Sequence, residues 1–295
     1  IRIAPIVFTF ILDLMPSSVT ATTRVYGLIG HPVSHSFSPA MHNAAFQELG
    51  LDSIYGAFEV TPERLEEALR GVCGLNLGGL NVTVPHKSNV IPYLDNLDPL
   101  AETIGAVNTI VNQNGSLRGT STDFAGFLRS LKENDVEPEG LEIVLLGAGG
   151  SARALLAGLA DAKAKSIRVW NRTASRAHSL VEAIKPVFPN CMMEHIHSEG
   201  LNNLDCDLLV NTTSAGMQEQ ESPFDLNHAD RIGHVADIIY NPPKTPLLKQ
   251  AEQLGIPNHN GIGMLLYQGC ESFTFWTGME APVEVMRQAL VSQLN

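Results

Sequence analysis

Ile143-Val144-Leu145-Leu146-Gly147-Ala148-Gly149-Gly150-Ser151-Ala152 decides the fold. Four apolar residues read as a buried strand, and the run that follows opens a helix. The pattern is G-x-G-x-x-[GA], with Ala152 in the third place. The first glycine permits a tight turn, and the second lets backbone approach a pyrophosphate. The third, small residue lets the helix pack close to the strand, and the helix N-terminus attracts phosphate. An alanine-rich helix comes next, then Ile167-Arg168-Val169-Trp170 as a second strand. That strand-turn-helix-strand context implies a dinucleotide-binding βαβ unit rather than a glycine-rich turn that merely packs.

The same rhythm extends in both directions. Upstream, Val25–Gly30 reads as a strand, and Ser38-Pro39 starts a helix with serine at its N-cap that stops at Gly50. Ser53–Val60 alternates like a strand, Thr61-Pro62 begins a helix ending at Gly71, and Leu80–Val84 is a further strand. A helix from about Phe124 to Glu133 and the loop 134–140 separate this half from the βαβ unit. Downstream strands are expected at Leu208–Val210 and Val235–Ile238, and the chain is helical from about Gly263. Alternation of this kind specifies an α/β protein with open, mostly parallel sheets.

The 295 residues suit two domains, and 44% hydrophobic with 17% charged residues is a core-building composition. A net charge of -12 argues against general nucleic-acid binding, so any local positive charge is informative. Cys73, Cys191, Cys206 and Cys270 are scattered and form no CxxC pair, as expected of reduced thiols in a cytoplasmic protein. The ten histidines include no HExxH and no zinc-spaced set, so no metal is expected. Residues 1–23 form an apolar extension interrupted by Asp13. It is too short to span a membrane, makes a weak signal peptide, and has no assigned role.

Charge selects the dinucleotide. An NAD enzyme usually carries Asp or Glu at the end of the second strand, bonded to the ribose. Between Ala162 and Val181 there is no acid; the window holds Lys163, Lys165, Arg168, Arg172 and Arg176. Asn171-Arg172-Thr173, with Arg176 just beyond, offers two guanidiniums and a hydroxyl to a 2′-phosphate. NADP is expected over NAD.

Asn81-Val82-Thr83-Val84-Pro85-His86-Lys87 ends a core strand on a cation. Open α/β sheets place their sites at such strand ends. Nicotinamide chemistry on a carbonyl or alcohol needs a proton partner for the hydride, and a lysine held by an aspartate can supply it. Asp123, where the first half hands over to the second, is the candidate partner.

With these residues in place, the chain resembles the shikimate dehydrogenases from about Val25 to its end. The resemblance rests on HSFSPAMHN, NVTVPHK, GAVNT, STD, GAGGSARA, NRTASRA, NTTSAGM, YNPPKTPLL and GIGMLLYQG in order. It implies a two-domain α/β enzyme that interconverts shikimate and 3-dehydroshikimate with NADP(H), by hydride exchange at the nicotinamide C4 with proton delivery through Lys87 and Asp123. The substrate-binding domain would be 24–122 plus 263–295, the final helices returning to it, and 123–262 would be a Rossmann-type NADP domain. Ser36 and Ser38 would hold the carboxylate. Asn81, Thr83, Asn108 and Gln268 would meet the ring hydroxyls, with Tyr240 nearby. Gly147, Ala148, Gly149, Gly150, Ser151, Ala152, Asn171, Arg172, Thr173, Arg176, Met217 and Gly261 would form the cofactor site. The hydroxyl and amide inventory suits a polyhydroxylated carboxylate, whose polar atoms each need a partner when buried.

Two positions depart from the family pattern: Ser121 stands where Asn is common, and Phe124 where Gly is common. Alternatives are a quinate/shikimate dehydrogenase, an aminoshikimate enzyme, or a redox-silent NADP sensor on the same scaffold. A monomer or homodimer is expected, with no nucleic-acid or membrane partner.

Overall fold

The computed structural model describes residues 19–218 and 221–294. The expectation for the N-terminal extension lies mostly outside the described residues. Its last part is anchored: the hydroxyls of Thr20, Thr22 and Thr23 all donate to the Asp52 carboxylate, just before a strand.

The first half builds a six-stranded sheet in the order β2-β1-β3-β5-β6-β4. Its strands are β1 (Arg24–Gly30), β2 (Ser53–Glu59), β3 (Gly79–Val82), β4 (Asn96–Leu97), β5 (Thr109–Gln113) and β6 (Ser116–Thr120). β1 runs parallel to β2 and β3, connected through helices α1 (Ser38–Glu48) and α2 (Leu65–Gly74). β5 is antiparallel to β3 and β6. β4 to β6 add to the pattern read from sequence. The signal that finds the β5–β6 hairpin is Asn114-Gly115, both at positive φ, a two-residue turn that suits strand twist.

Local boundaries shift for identifiable reasons. Ser38 is the first residue of α1 and Phe37 takes the cap position without a side-chain bond; Pro39 sits in the first turn as expected. Pro62–Arg64 is a 3₁₀ turn, so α2 starts at Leu65 and runs past Gly71 to Gly74. β3 ends at Val82, and Val84 is exposed.

A short helix, α3 (Pro99–Ile104), and the connecting helix α4 (Asp123–Glu133) precede the second sheet. That sheet is wholly parallel, in the order β12-β11-β10-β7-β8-β9. It comprises β7 (Glu142–Leu146), α5 (Gly150–Asp161), β8 (Ser166–Trp170), α6 (Ala174–Ile184), β9 (Met192–His195), β10 (Leu204–Asn211), β11 (Ala229–Asp237), α7 (Pro246–Gln253) and β12 (Asn258–His259). The strand order runs outward both ways from β7, so the crevice at its carboxyl end is the topological switch point where such sheets bind ligands. Two C-terminal helices, α8 (Ile262–Thr277) and α9 (Val283–Val291), return to the first sheet. Phe273, Trp276, Met286 and Leu290 share one apolar core with Tyr26 and Phe46.

Phe124 is absorbed by a second unusual feature. It is 9% exposed, and its ring lies against Gly158 of α5. A Cβ added at Gly158 would stand 1.7 Å from Phe124 Cδ2. Gly158→Ala should therefore destabilise the protein by about 1–3 kcal/mol, as overpacking does. Urea unfolding measures this, and Phe124→Ala in the same background should recover part of the loss. An unchanged midpoint for Gly158→Ala would show that α4 and α5 can part without cost.

Candidate active site

Sheet register brings the distant motifs together. Asn81 pairs with Thr109 across β3–β5, and Thr109 with Thr120 across β5–β6. The end of β3, the start of β5 and the end of β6 thus meet at one edge. Lys87 and Asp123 extend from this edge. The His86 ring, wholly buried, donates from Nε2 to the Val60 carbonyl at 2.7 Å, and Val107 N–H donates to the Lys87 carbonyl at 2.8 Å. This plug and this backbone bond turn the lysine side chain into the cleft.

Lys87 Nζ donates to Asp123 Oδ2 at 2.5 Å, with side-chain exposures of 11% and 6%. A second, longer bond runs from Lys87 Nζ to Ser151 Oγ at 3.3 Å, across to the first turn of α5. An ammonium has three protons, so a third remains for another acceptor. Asp123 Oδ1 accepts from Asn108 Nδ2 at 2.8 Å. The same amide nitrogen lies 2.9 Å from Thr122 Oγ1 and 3.3 Å from Gln268 Oε1, and Asn108 Oδ1 accepts from Thr122 N–H at 2.8 Å. Asn81 Oδ1 accepts from the Tyr55 hydroxyl at 2.8 Å. Asn81 Nδ2 donates to the Asn108 carbonyl at 3.2 Å, so Lys87, Asp123, Asn108, Gln268 and Asn81 lie in one connected polar cluster.

Thr83 directly follows β3, and Ser36 and Ser38 lie at the start of α1. Ser36 Oγ accepts from the Ser38 backbone at 3.3 Å, and the Thr83 hydroxyl has no protein partner among the described residues. Tyr240, just past β11 of the second sheet, places its ring 5.3 Å from that of Phe37, the residue between the two serines in sequence. Burial pushes the Tyr240 hydroxyl pKa up, so the group stays a neutral donor. Its loop is braced by Asp237. That carboxylate accepts from Ile239 N–H and Asn211 Nδ2 at 3.0 Å and from Thr245 Oγ1 at 2.7 Å, and burial raises it to about 6. Asn211 in turn receives Thr213 N–H and hydroxyl at the start of the loop to Met217. Gly261 caps α8, its N–H donating to Ile239 O at 3.0 Å beside Tyr240.

The glycine turn has the backbone its pattern requires. Gly147 has φ +118, and an added Cβ would meet Thr212 Oγ1 at 2.4 Å. Its N–H donates to Trp170 O at 2.7 Å, so the turn borders the end of β8, where Asn171, Arg172, Thr173 and Arg176 follow. Asn171 Nδ2 donates to Thr173 O at 2.9 Å. The structure also sorts the basic window. Lys163 pairs with Glu139 and Lys165 with Glu142, and Arg168 donates to the Asp205 carbonyl. Arg172 and Arg176 are exposed and have no acidic partner among the described residues. Two free guanidiniums beside a phosphate-sized turn fit a dinucleotide with an extra phosphate. The glycine turn meets the Lys87–Asp123 cluster at Ser151, which accepts from Lys87, and at Gly150, where an added Cβ would lie 3.3 Å from Lys87 Cβ and Cδ. Among the described residues no set of three or more His, Cys, Asp or Glu side chains could hold a metal ion, and no helix is long and apolar enough to cross a membrane.

Several residues lie beyond the expected set: Tyr55, Thr109, Thr122 and Ser272 in the polar cluster, and Asp237 under the Tyr240 loop. Thr109 and Thr122 fall inside the GAVNT and STD motifs. Ser272 lies one helical turn after Gln268, so the two share a face of α8.

Three family models match successive parts of the chain. The family model "Shikimate dehydrogenase substrate binding domain" matches residues 28–110, "Shikimate / quinate 5-dehydrogenase" residues 131–218, and "Shikimate 5'-dehydrogenase C-terminal domain" residues 261–291. The chain is 50% identical over 287 residues to a shikimate dehydrogenase (NADP(+)) of Methanopyrus kandleri, covering 94% of this chain and 98% of the relative. A crystal structure of the Thermus thermophilus shikimate 5-dehydrogenase with NADP(H) and shikimate superposes with a TM-score of 0.84 at 34% identity, covering 92% of this chain and 100% of that one. A 5-ketofructose reductase of Gluconobacter sp. strain CHM43 also superposes, with a TM-score of 0.83, 34% identity and coverage of 92% and 99%. The scaffold thus carries more than one reductase. On identity and coverage together, this chain belongs to the shikimate dehydrogenase family.

Proposed function

We propose that the protein is an NADP-dependent oxidoreductase that reversibly reduces 3-dehydroshikimate to shikimate, in the route to chorismate and the aromatic amino acids. The observation that carries this reading is the buried Lys87–Asp123 pair, 2.5 Å apart, linked through Ser151 to the glycine-turn helix. NADP(H) bound there supplies or takes the hydride. Lys87 and Asp123 hold and move the proton at the reacting oxygen. Asn108 keeps Asp123 oriented through Oδ1, leaving Oδ2 for the lysine. Ser36 and Ser38 receive the substrate carboxylate, Thr83, Asn81, Asn108 and Gln268 set the ring, and Tyr240 closes over it from the second domain. Arg172 and Arg176 bind the 2′-phosphate by charge-assisted hydrogen bonds.

Initial rates of nicotinamide reduction, with shikimate or quinate and NADP or NAD, test the reading. Fast turnover is expected with shikimate and NADP, and at least about tenfold less in kcat/KM with NAD, a difference of about 1.4 kcal/mol. Comparable turnover of quinate would favour the bifunctional reading, to which the shikimate/quinate family match gives some weight. Reduction of 5-ketofructose without shikimate turnover would replace the substrate assignment. NADP binding with no turnover of any of these would favour a redox-silent sensor.

A further inference from the structure

We propose that Ser272 is a positioning residue for the substrate ring, an inference that rests on the shikimate reading. Ser272 is fully buried on α8, the helix that returns from the second domain. Its hydroxyl stands at the centre of four contacts. Asn81 Nδ2 lies 3.0 Å away, Thr109 Oγ1 2.7 Å, Thr122 Oγ1 3.2 Å and the Gln268 carbonyl 2.9 Å. Three of these groups belong to the first sheet and its exit, and the fourth is the backbone of the glutamine expected at the substrate.

Proton counting leaves two arrangements. Ser272 donates to Gln268 O, or to Thr122 Oγ1, while Thr109 donates to Ser272. Alternatively, Ser272 donates to Thr109, and Thr109 donates to Asn108 Oδ1, 3.0 Å away. In both, the serine oxygen receives Asn81 Nδ2–H. Asn81 is then held at both ends, by Ser272 and by the Tyr55 hydroxyl. Asn108 and Gln268 are tied to each other at 3.3 Å. The serine thus fixes the register of α8 against β3 and β5 at the point where Asn81, Asn108 and Gln268 converge. Removing its hydroxyl leaves Asn81 Nδ2–H and the Thr109 hydroxyl short of a buried partner on the sheet side and cuts the tie to the Gln268 carbonyl on α8. None of these bonds reaches the Arg172 and Arg176 region, so the effect belongs to the substrate and not to the dinucleotide.

The test is steady-state kinetics of Ser272→Ala, Ser272→Thr and Thr109→Val, with thermal unfolding alongside. Ser272→Ala should raise KM for shikimate about 5- to 30-fold, the scale of one or two lost buried hydrogen bonds, with KM for NADP within about twofold. Thr109→Val should act alike, and the double variant should be little worse than either single one, because both remove the same bond. Ser272→Thr retains the hydroxyl and should stay near wild type. An unchanged KM for shikimate in Ser272→Ala overturns the proposal. So does an equal rise in both KM values together with a lowered unfolding temperature, which would make Ser272 a stabilising residue only. A wild-type enzyme that turns over shikimate, with an unaffected variant, overturns this inference alone; a wild-type enzyme that does not turn it over overturns the functional reading and this inference with it.

Discussion

Lys87→Ala should lower kcat by roughly 10²-fold or more, the usual scale for losing a positioned acid/base group. The expectation comes from the place of the ammonium, pressed onto Asp123 at 2.5 Å with both side chains largely out of water. Removing it also leaves a buried carboxylate without its cation, so some loss of stability accompanies the loss of rate. Two controls separate these effects. Thermal unfolding reports the fold directly. Lys87→Arg keeps a positive charge beside Asp123, but a guanidinium does not give up its proton near neutral pH. If the lysine moves the proton, the arginine variant should remain about as slow as the alanine variant while regaining stability. If it only neutralises Asp123, the arginine variant should recover activity. A normal kcat in Lys87→Ala would remove the pair from the chemistry. KM for NADP should change less than kcat, since Lys87 touches the cofactor turn only at Ser151 and Gly150 and makes no bond to the Arg172 and Arg176 region.

The sequence disclosed the second domain more fully than the first. The glycine turn is a local pattern with a local cause: Gly147 needs both its positive φ and its missing Cβ, and both can be read from one short stretch. Parallel strands buried on both faces announce themselves as apolar runs, as Ile143–Leu146 does. The first domain depends on pairings that no local pattern carries. β4 is two residues long, and β5 meets β3 and β6 only through register. Lys87 and Asp123 could be named from their motifs, but the bond between them is a product of that register. The basic window shows the same limit. Lys163, Lys165, Arg168, Arg172 and Arg176 are equivalent as a count of charges. Only the fold shows that the first three are engaged elsewhere and that Arg172 and Arg176 stand free beside the turn. Ser272 and Asp237 were hidden for a related reason. A serine on a helix and an aspartate at a strand end are ordinary residues until the donors around them are known.

Arg172→Asp should turn the cofactor preference from NADP towards NAD. Arg172 is exposed just past β8, one residue after Asn171, and no carboxylate among the described residues competes for it. A phosphate that meets this guanidinium gains charge-assisted hydrogen bonds, whereas an aspartate in the same place repels it and can instead accept from a ribose hydroxyl. The change reverses the sign of one contact, so KM for NADP should rise about 10- to 100-fold, each tenfold step being worth about 1.4 kcal/mol. KM for NAD should stay level or fall. Arg176 remains in the variant and limits the switch; Arg172→Asp with Arg176→Ala should carry it further. Salt provides an independent check, because exposed charges are screened within about 10 Å at 0.1 M ionic strength. Raising the salt should shrink the wild-type preference for NADP and leave that of the double variant nearly unchanged. If KM for NADP did not move in Arg172→Asp, the phosphate would have to be held elsewhere, and the free guanidiniums at the end of β8 would be solvated surface charge.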